Sequence, residues 1–183
     1  MLLRAERPAD AAAIEALTLV AFFRVAHSRH DEQDIIERLR ADGALTLSLV
    51  IEHEGYIVGH VAVSPVSLSD DSRGWYGLGP LSVGPGHQRQ GLGTRLVREA
   101  LAQLQALGAA GCVVLGDPAY YARFGFHPEP GLTLPGAPAE AFQALAFGER
   151  LPPMAEVAYH PAFLSAAIGG RRATPWPVAA ALR

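Results

Sequence analysis

Residues 83–97 read Val-Gly-Pro-Gly-His-Gln-Arg-Gln-Gly-Leu-Gly-Thr-Arg-Leu-Val, a glycine-rich turn that runs directly into a segment with helical spacing. The apolar residues of that segment and its continuation share one helical face: Leu92, Leu96, Val97, Ala100, Leu101, Leu104 and Leu107. The N-terminus of a helix presents backbone N–H groups without intrahelical partners and the positive end of the helix dipole. The stretch therefore predicts a site that binds phosphate.

The spacing of the glycines excludes two common phosphate loops. Gly86 and Gly91 are placed as in the start of a P-loop, but Leu92-Gly93 stands where that loop requires Lys followed by Ser or Thr. The dinucleotide pattern G-x-G-x-x-G also fails, because neither closely spaced glycine pair in the stretch has a third glycine at the required position. A mononucleotide or dinucleotide loop is therefore not indicated.

A third pattern, Gln/Arg-x-x-Gly-x-Gly/Ala, matches Gln88-Arg-Gln-Gly-Leu-Gly93 at every fixed position. In this feature the chain resembles the GNAT superfamily, the Gcn5-related N-acetyltransferases, in which the loop holds the pyrophosphate of acetyl coenzyme A. A second segment, Tyr120-Tyr-Ala-Arg-Phe-Gly-Phe126, is similar to the family's Phe/Tyr-Tyr-x-x-x-Gly-Phe. The resemblance runs from about Arg4 to Pro128 and is stronger to the YhbS-like predicted acetyltransferases, as in Trp75-Tyr-Gly-Leu-Gly-Pro-Leu81.

The resemblance implies an α/β (α+β) fold with a mixed, mostly antiparallel central sheet flanked by helices. It also implies that the fourth strand, here Trp75–Val83, splays from the fifth, and Pro80 is an independent reason for broken pairing because proline has no N–H to donate. The cofactor-binding residues implied for acetyl-CoA are Leu81, Ser82 and Val83 along the thioester, and Gln88, Arg89, Gln90, Gly91, Leu92, Gly93 and Thr94 around the pyrophosphate.

Local patterns predict the remaining elements. A hairpin is indicated for Thr46–Glu52 with Tyr56–Val63, and Asp10 is expected to cap the first helix. A modest helix is expected at Glu140–Leu145 and a final strand at Glu156–His160, with another strand beginning at Phe126. Residues 1–168 are expected to form one GNAT-like domain, and 169–183 a C-terminal tail whose order the sequence does not define.

The resemblance implies direct attack of an amine on the thioester, with Tyr121 as the catalytic acid for the departing thiolate. The general base is left open, because the fourth strand carries no carboxylate where many family members place one. Glu52 and Glu54 are interpreted as solvated surface residues and His60 as a hydrogen-bonded structural residue. Asp117 is interpreted as the N-cap that precedes Pro118, and a water chain to solvent remains an alternative to a dedicated base.

Composition narrows the possible partners. The net charge is −3, so nucleic acid is not an expected partner. All fifteen Lys and Arg positions are arginine, which excludes any mechanism that needs a Schiff-base or phosphate-binding lysine.

The only cysteine, Cys112, lies in an apolar run and is expected to be buried rather than nucleophilic. No apolar run is long enough to span a bilayer, and the expected location is cytoplasmic. His27 and His30 are interpreted as surface residues, and no metal is expected.

The function expected from the resemblance is transfer of an acetyl group from acetyl-CoA to a primary amine through a ternary complex. The alternative is a catalytically silent module that senses acyl-CoA or serves as an interaction partner. Asp70, Asp71 and Glu32 are candidates for attracting a cationic amine, although scattered surface charge is the simpler interpretation. The sequence does not identify the acceptor, and a homodimer through the C-terminal strands is compatible with it but not specified.

Overall fold

The computed structural model describes residues 1–23, 25, 28, 31–148 and 152–164. The helices are α1 (Ala11–Phe22), α2 (Glu32–Ala41), α3 (Leu92–Ala106) and α4 (Pro118–Tyr121). The strands are β1 (Leu2–Ala5), β2 (Leu47–His53), β3 (Tyr56–Pro65), β4 (Ser67–Leu68), β5 (Trp75–Val83), β6 (Gly111–Leu115), β7 (Leu132–Thr133), β8 (Phe142–Ala146) and β9 (Ala155–Ala158).

Six strands form the central sheet in the order β1-β2-β3-β5-β6-β8. Only β5 and β6 run parallel in it, and the other neighbours are antiparallel. The predicted mixed, mostly antiparallel sheet is therefore confirmed. A smaller sheet, in the order β4-β9-β7, lies beside it. No helix in the described part of the chain is long and apolar enough to cross a membrane.

Helices cover both faces of the central sheet. Side chains alternate between the two faces of a strand, so Val61 and Ala62 of β3 point in opposite directions. Val61 is buried in the cluster that contains the inner face of α3, and Ala62 in a cluster with Ile14 of α1 and Ile36 of α2. The sheet is therefore the middle of three layers, with α3 on one side and α1 and α2 on the other.

The pairing of β5 is broken on both of its edges. On the β3 edge the register shifts between Val61↔Leu81 and Val63↔Leu78, a bulge that spans Pro80. On the β6 edge pairing begins at Trp75↔Gly111 and ends at Gly77↔Val113. The last six residues of β5 thus diverge from β6 and leave a V-shaped gap, which is closed at Gly77 and open toward the C-terminal ends of the two strands. The predicted splay is confirmed.

The helix predicted at Glu140–Leu145 is wrong, since Phe142–Ala146 is strand β8. A short apolar run does not distinguish a buried helix from a buried strand, and here the free edge of β6 offers the backbone partners that decide the outcome. The strand expected from Phe126 is reduced to an isolated bridge between His127 and Ala144. The predicted final strand is confirmed as β9, shifted by about one to two residues.

Three predictions about individual side chains also need correction. Asp10 precedes α1 but makes no cap hydrogen bond to it, because its carboxylate is held by Arg4 at 2.6 Å and by the Arg7 amide. Glu52 is not simply solvated, since it pairs with Arg4 at 2.8 Å. Leu107, predicted on the buried face of α3, is 61% exposed. Residues 169–183 lie outside the described residues.

Candidate active site

The start of α3 is shaped by backbone conformation. Gly91 is the N-cap residue with φ +81°, a left-handed conformation that favours glycine. A Cβ built on Gly91 would have no atom within 4 Å. The left-handed backbone conformation, and not a lack of space for a side chain, therefore accounts for the glycine at this position. The Arg95 amide donates to Gly91 O at 3.0 Å. By α-helical geometry, the amides of Leu92, Gly93 and Thr94 then have no intrahelical acceptor and form an anion-binding end.

Two glutamine side chains form hydrogen bonds within the turn that precedes this helix end. Gln88 Nε2 donates to Val83 O at 3.1 Å, and Gln90 Nε2 donates to Gly86 O at 3.1 Å. Both side chains therefore satisfy carbonyl groups of the turn. Arg89 between them is exposed and has φ +60°, so its guanidinium is available at the rim. The cofactor residues predicted from 88 to 94 thus lie together at one turn.

Leu81, Ser82 and Val83 lie at the open part of the gap, with all three side chains buried. The amide of Gly84 donates to Val58 O of β3 at 3.0 Å. Because successive amides along a strand point to opposite sides, the N–H groups of Val83 and Leu81 point away from β3, toward the gap. The backbone therefore supplies donors where β6 is no longer available to pair.

Tyr121 extends from α4 into the buried cluster that also contains Leu81 and Val83 of β5 and Val114 of β6. Asp117 caps this helix by accepting a hydrogen bond from Ala119 N at 2.9 Å, as predicted, and Gly125 follows it with φ +92°. Tyr121 is 1% exposed, and within the described residues its hydroxyl has no hydrogen-bond partner. Burial raises the pKa of Tyr121 well above its usual value, helped by neighbouring Tyr120 and Tyr159. A buried hydroxyl without a partner and held in its protonated form is suited to donate to a ligand.

Tyr120 has a different environment from Tyr121. Its ring packs edge-on against that of Tyr121, with centroids 4.9 Å apart, and the guanidinium carbon of Arg123 lies over the ring, 4.6 Å from its centroid. Burial raises its pKa, while the side chain of Thr94 and the charge of Arg123 act in the opposite direction. The ring contacts are in keeping with a packing role, although the Tyr120 hydroxyl, like that of Tyr121, is buried with no hydrogen-bond partner among the described residues.

Cys112 is fully buried on β6. Burial raises the pKa of its thiol, so the thiolate form that a nucleophile needs is disfavoured. The expected burial is confirmed, and acetylation through this cysteine is not favoured.

A partly buried polar network lies on the opposite face of the sheet from α3. Glu6 pairs with Arg40 of α2 at 2.8 Å and accepts a hydrogen bond from Ser48 Oγ. His60 Nε2 lies 2.8 Å from the same Oγ, while His60 Nδ1 has no partner within the described residues. Burial lowers the pKa of His60 to about 4, so the ring is neutral near pH 7. The interpretation of His60 as a hydrogen-bonded structural residue agrees with this geometry.

Glu32 is fully buried at the start of α2, although its charge was expected on the surface. Its Oε1 accepts a hydrogen bond from Ser28 Oγ at 2.7 Å, and its Oε2 has no partner within the described residues. A glutamate one turn ahead of Ile35 and Ile36 lies on their inward face, and this spacing was the signal in the sequence that could have revealed its burial. Asp70 and Asp71 are exposed.

No group of three or more metal-binding side chains lies within the described ranges. His27 and His30 fall outside the described residues. The site is therefore defined by the helix end at Gly91, the gap between β5 and β6, and the Tyr121 hydroxyl.

The sequence profile of the Acetyltransferase (GNAT) family matches residues 13–126. The chain belongs to the GNAT family. The GNAT region thus contains the helix end, the gap and Tyr121, whereas β8 and β9 lie beyond the match. The resemblance inferred from the two sequence motifs is confirmed.

Named relatives of this GNAT chain include the uncharacterized N-acetyltransferase YhbS of Escherichia coli K12, which is 43% identical over 127 residues, 69% of this chain and 73% of YhbS. Another is the uncharacterized N-acetyltransferase YjhQ of the same strain, at 36% identity over 104 residues, 55% of this chain and 58% of YjhQ.

Two solved GNAT structures share the fold over most of its length. A GNAT acetyltransferase from Brucella melitensis in complex with acetyl-CoA has a TM-score of 0.78 and 50% identity, with 88% of this chain and 97% of that chain covered. YhbS from E. coli in complex with CoA has a TM-score of 0.80 and 37% identity, with 93% and 95% covered. This GNAT chain is therefore an acetyltransferase by family.

Proposed function

We propose that this GNAT chain is an N-acetyltransferase that moves an acetyl group from acetyl-CoA to a primary amine by direct attack in a ternary complex. The observation that carries the proposal is the V-shaped gap, which opens toward the helix end at Gly91 and whose two strands share a buried cluster with Tyr121. The acetyl-CoA and CoA held by the Brucella and E. coli relatives support the choice of ligand.

The residues present fit coenzyme A at both ends. The amides of Leu92, Gly93 and Thr94, with Arg89 at the rim, would hold the pyrophosphate through hydrogen bonds and charge. The pantetheine arm would replace the missing strand partner of β5, with Leu81, Ser82 and Val83 beside the thioester. Donors aimed at the thioester oxygen would stabilise the negative charge that develops there, as in other oxyanion holes.

The chemical step forms one bond and breaks another. The neutral amine adds to the thioester carbonyl carbon, and the tetrahedral intermediate then expels the coenzyme A sulfur as the C–S bond breaks. Tyr121 donates its proton to that sulfur, and the proton that the attacking nitrogen loses as the amide forms restores the Tyr121 hydroxyl through solvent. The proton that the substrate ammonium gives up before attack is released, so the overall step liberates one proton. Strand β5 carries no carboxylate, so a water chain serves as the route by which the ammonium loses its proton.

Binding and turnover test the proposal separately. Isothermal titration of acetyl-CoA should show saturable binding, and a screen of polyamines, aminoglycosides, amino acids and peptide N-termini should release free thiol with at least one acceptor. Absence of binding at millimolar acetyl-CoA would contradict the function. Tight binding without thiol release across that panel would instead favour the silent acyl-CoA module.

A further inference from the structure

Tyr159 lies directly against the backbone of Gly77. A Cβ built on Gly77 would fall 2.9 Å from Tyr159 Cδ1 and closer still to Cε1, a separation that real Cβ atoms essentially never show. The same Cβ would lie 3.1 Å from Val66 Cγ1. The Tyr159 ring therefore occupies the space that a side chain at position 77 would need.

This contact is at the closed end of the gap. Gly77 is the last residue of β5 that pairs with β6, and beyond it the two strands separate. The helix end at Gly91 follows β5 at its C-terminal, open end. Under the proposed function, a ligand whose pyrophosphate is bound at Gly91 enters from the open end, so its acyl group points toward Gly77 and Tyr159.

We propose that Tyr159 is a specificity-determining residue whose ring closes the acyl end of the gap and limits the length of the acyl chain that the protein accepts. The inference rests on the proposed function and assigns a role to a residue outside the matched GNAT region. It predicts selection of acetyl-CoA over longer acyl-CoA thioesters.

The packing around Tyr159 supports a fixed position for the ring. Its centroid lies 4.9 Å from that of Phe163, which belongs to a buried cluster with Ile35 and Leu39 of α2. The residue as a whole is only half-buried, although its hydroxyl is fully buried. Tyr159 is also an electrostatic neighbour of Tyr121, the residue proposed to protonate the sulfur. The ring is thus held near the reacting end of the gap.

Binding of a thioester series tests this role without an identified acceptor. Calorimetry on the full chain would compare CoA, acetyl-CoA, propionyl-CoA and butyryl-CoA. In the wild type, butyryl-CoA should bind at least about tenfold more weakly than acetyl-CoA, since a pocket filled by a ring rejects added methylenes. In Tyr159→Ala the ratio of the two dissociation constants should fall to about one, with CoA affinity unchanged.

Three variants control for other causes. Tyr159→Phe keeps the ring and should keep the wild-type ratio, and Tyr56→Ala makes the same change at a residue that is 75% exposed. Tyr159→Leu retains apolar contact with Phe163 and provides a shorter side chain should the alanine variant fail to fold. A ratio that stays at its wild-type value in both Tyr159→Ala and Tyr159→Leu would overturn the inference while leaving the proposed function intact. Failure of the wild type to bind acetyl-CoA would overturn both.

Discussion

Tyr121 is buried and its hydroxyl has no hydrogen-bond partner among the described residues, and under the proposed mechanism this hydroxyl protonates the leaving sulfur. Tyr121→Phe should lower kcat by about 10²- to 10⁴-fold, the usual contribution of a positioned acid, with little change in acetyl-CoA affinity. Thiol release measured beside calorimetry separates the two effects. Tyr120→Phe is the matched control, and equal turnover in the two variants would remove Tyr121 from the acid role.

His60 should make the stability of the protein depend on pH. Its ring is neutral and buried, with a pKa lowered from 6.5 to about 4 by burial, which outweighs the opposing effect of Glu6. As the pH falls below about 6.5, the unfolded chain binds a proton that the folded chain does not. The free energy of unfolding should therefore fall between about pH 6.5 and 4, by about 3 kcal/mol, and this contribution should be constant outside that window.

Urea unfolding across this pH range would measure the effect. His60→Gln should flatten the dependence in that window, whereas His53→Gln, at a histidine whose side chain is 37% exposed, should retain it. A wild-type slope that persists in His60→Gln would show that another group is responsible.

The site residues differ in whether their roles could be predicted from the sequence alone. Tyr121 and Gly91 lie in short motifs, and Asp117 caps the helix that starts at the next residue, so local spacing was sufficient to single them out. The contact of Tyr159 with Gly77 joins segments distant in the chain and carries no local pattern, which is why Tyr159 was missed. The burial of Glu32 did have a local signal, its helical spacing to Ile35 and Ile36, but the charge of its side chain favoured a surface interpretation.

The turn into α3 requires a left-handed residue at Gly91. Gly91→Ala would meet no steric clash but would pay conformational strain of about 1–2 kcal/mol, which should appear as lower stability and weaker acetyl-CoA binding. Gly86→Ala is the matched control, because a Cβ there also meets open space and Gly86 has no positive φ. Thermal unfolding and calorimetry on both variants check this, and equal effects would contradict a conformational role specific to Gly91.

Strands β5 and β8 show which features of an element the local sequence predicts and which it does not. Pro80 indicated broken pairing because a missing N–H is a property of the residue itself. Phe142–Ala146 became a strand because the edge of β6 was available, which the local sequence does not encode. Chain elements whose partners are sequence neighbours, such as the β2–β3 hairpin, were predicted closely.

Gly77 and Tyr159 belong to different elements, β5 and the segment after β9, and their contact predicts energetic coupling. Gly77→Ala should destabilise the wild type by displacing the ring, and much of that loss should disappear in a Tyr159→Ala background. A double-mutant cycle measured by urea unfolding would give a coupling energy of about 0.5–3 kcal/mol for residues in such contact. Strict additivity of the two changes would contradict the packing described.

For the whole molecule, acetyl-CoA should act as a ligand that completes the sheet. At a free concentration 100 times the dissociation constant, binding to the folded state alone should stabilise it by about 2.7 kcal/mol. Hydrogen exchange should slow at the amides of Leu81 and Val83, while β1 at the far edge of the sheet serves as the internal control. Protection at β1 without protection at Leu81 and Val83 would contradict binding in the gap.

The unequal pairing of β6 has a mechanical consequence. All five residues of β6 pair with β8, whereas only three pair with β5. Strand β6 should therefore move together with β8, and any motion of this pair relative to β5 would be resisted by only the short β5–β6 ladder. Strand β8, which lies outside the matched family region, would in this way influence how wide the gap between β5 and β6 opens.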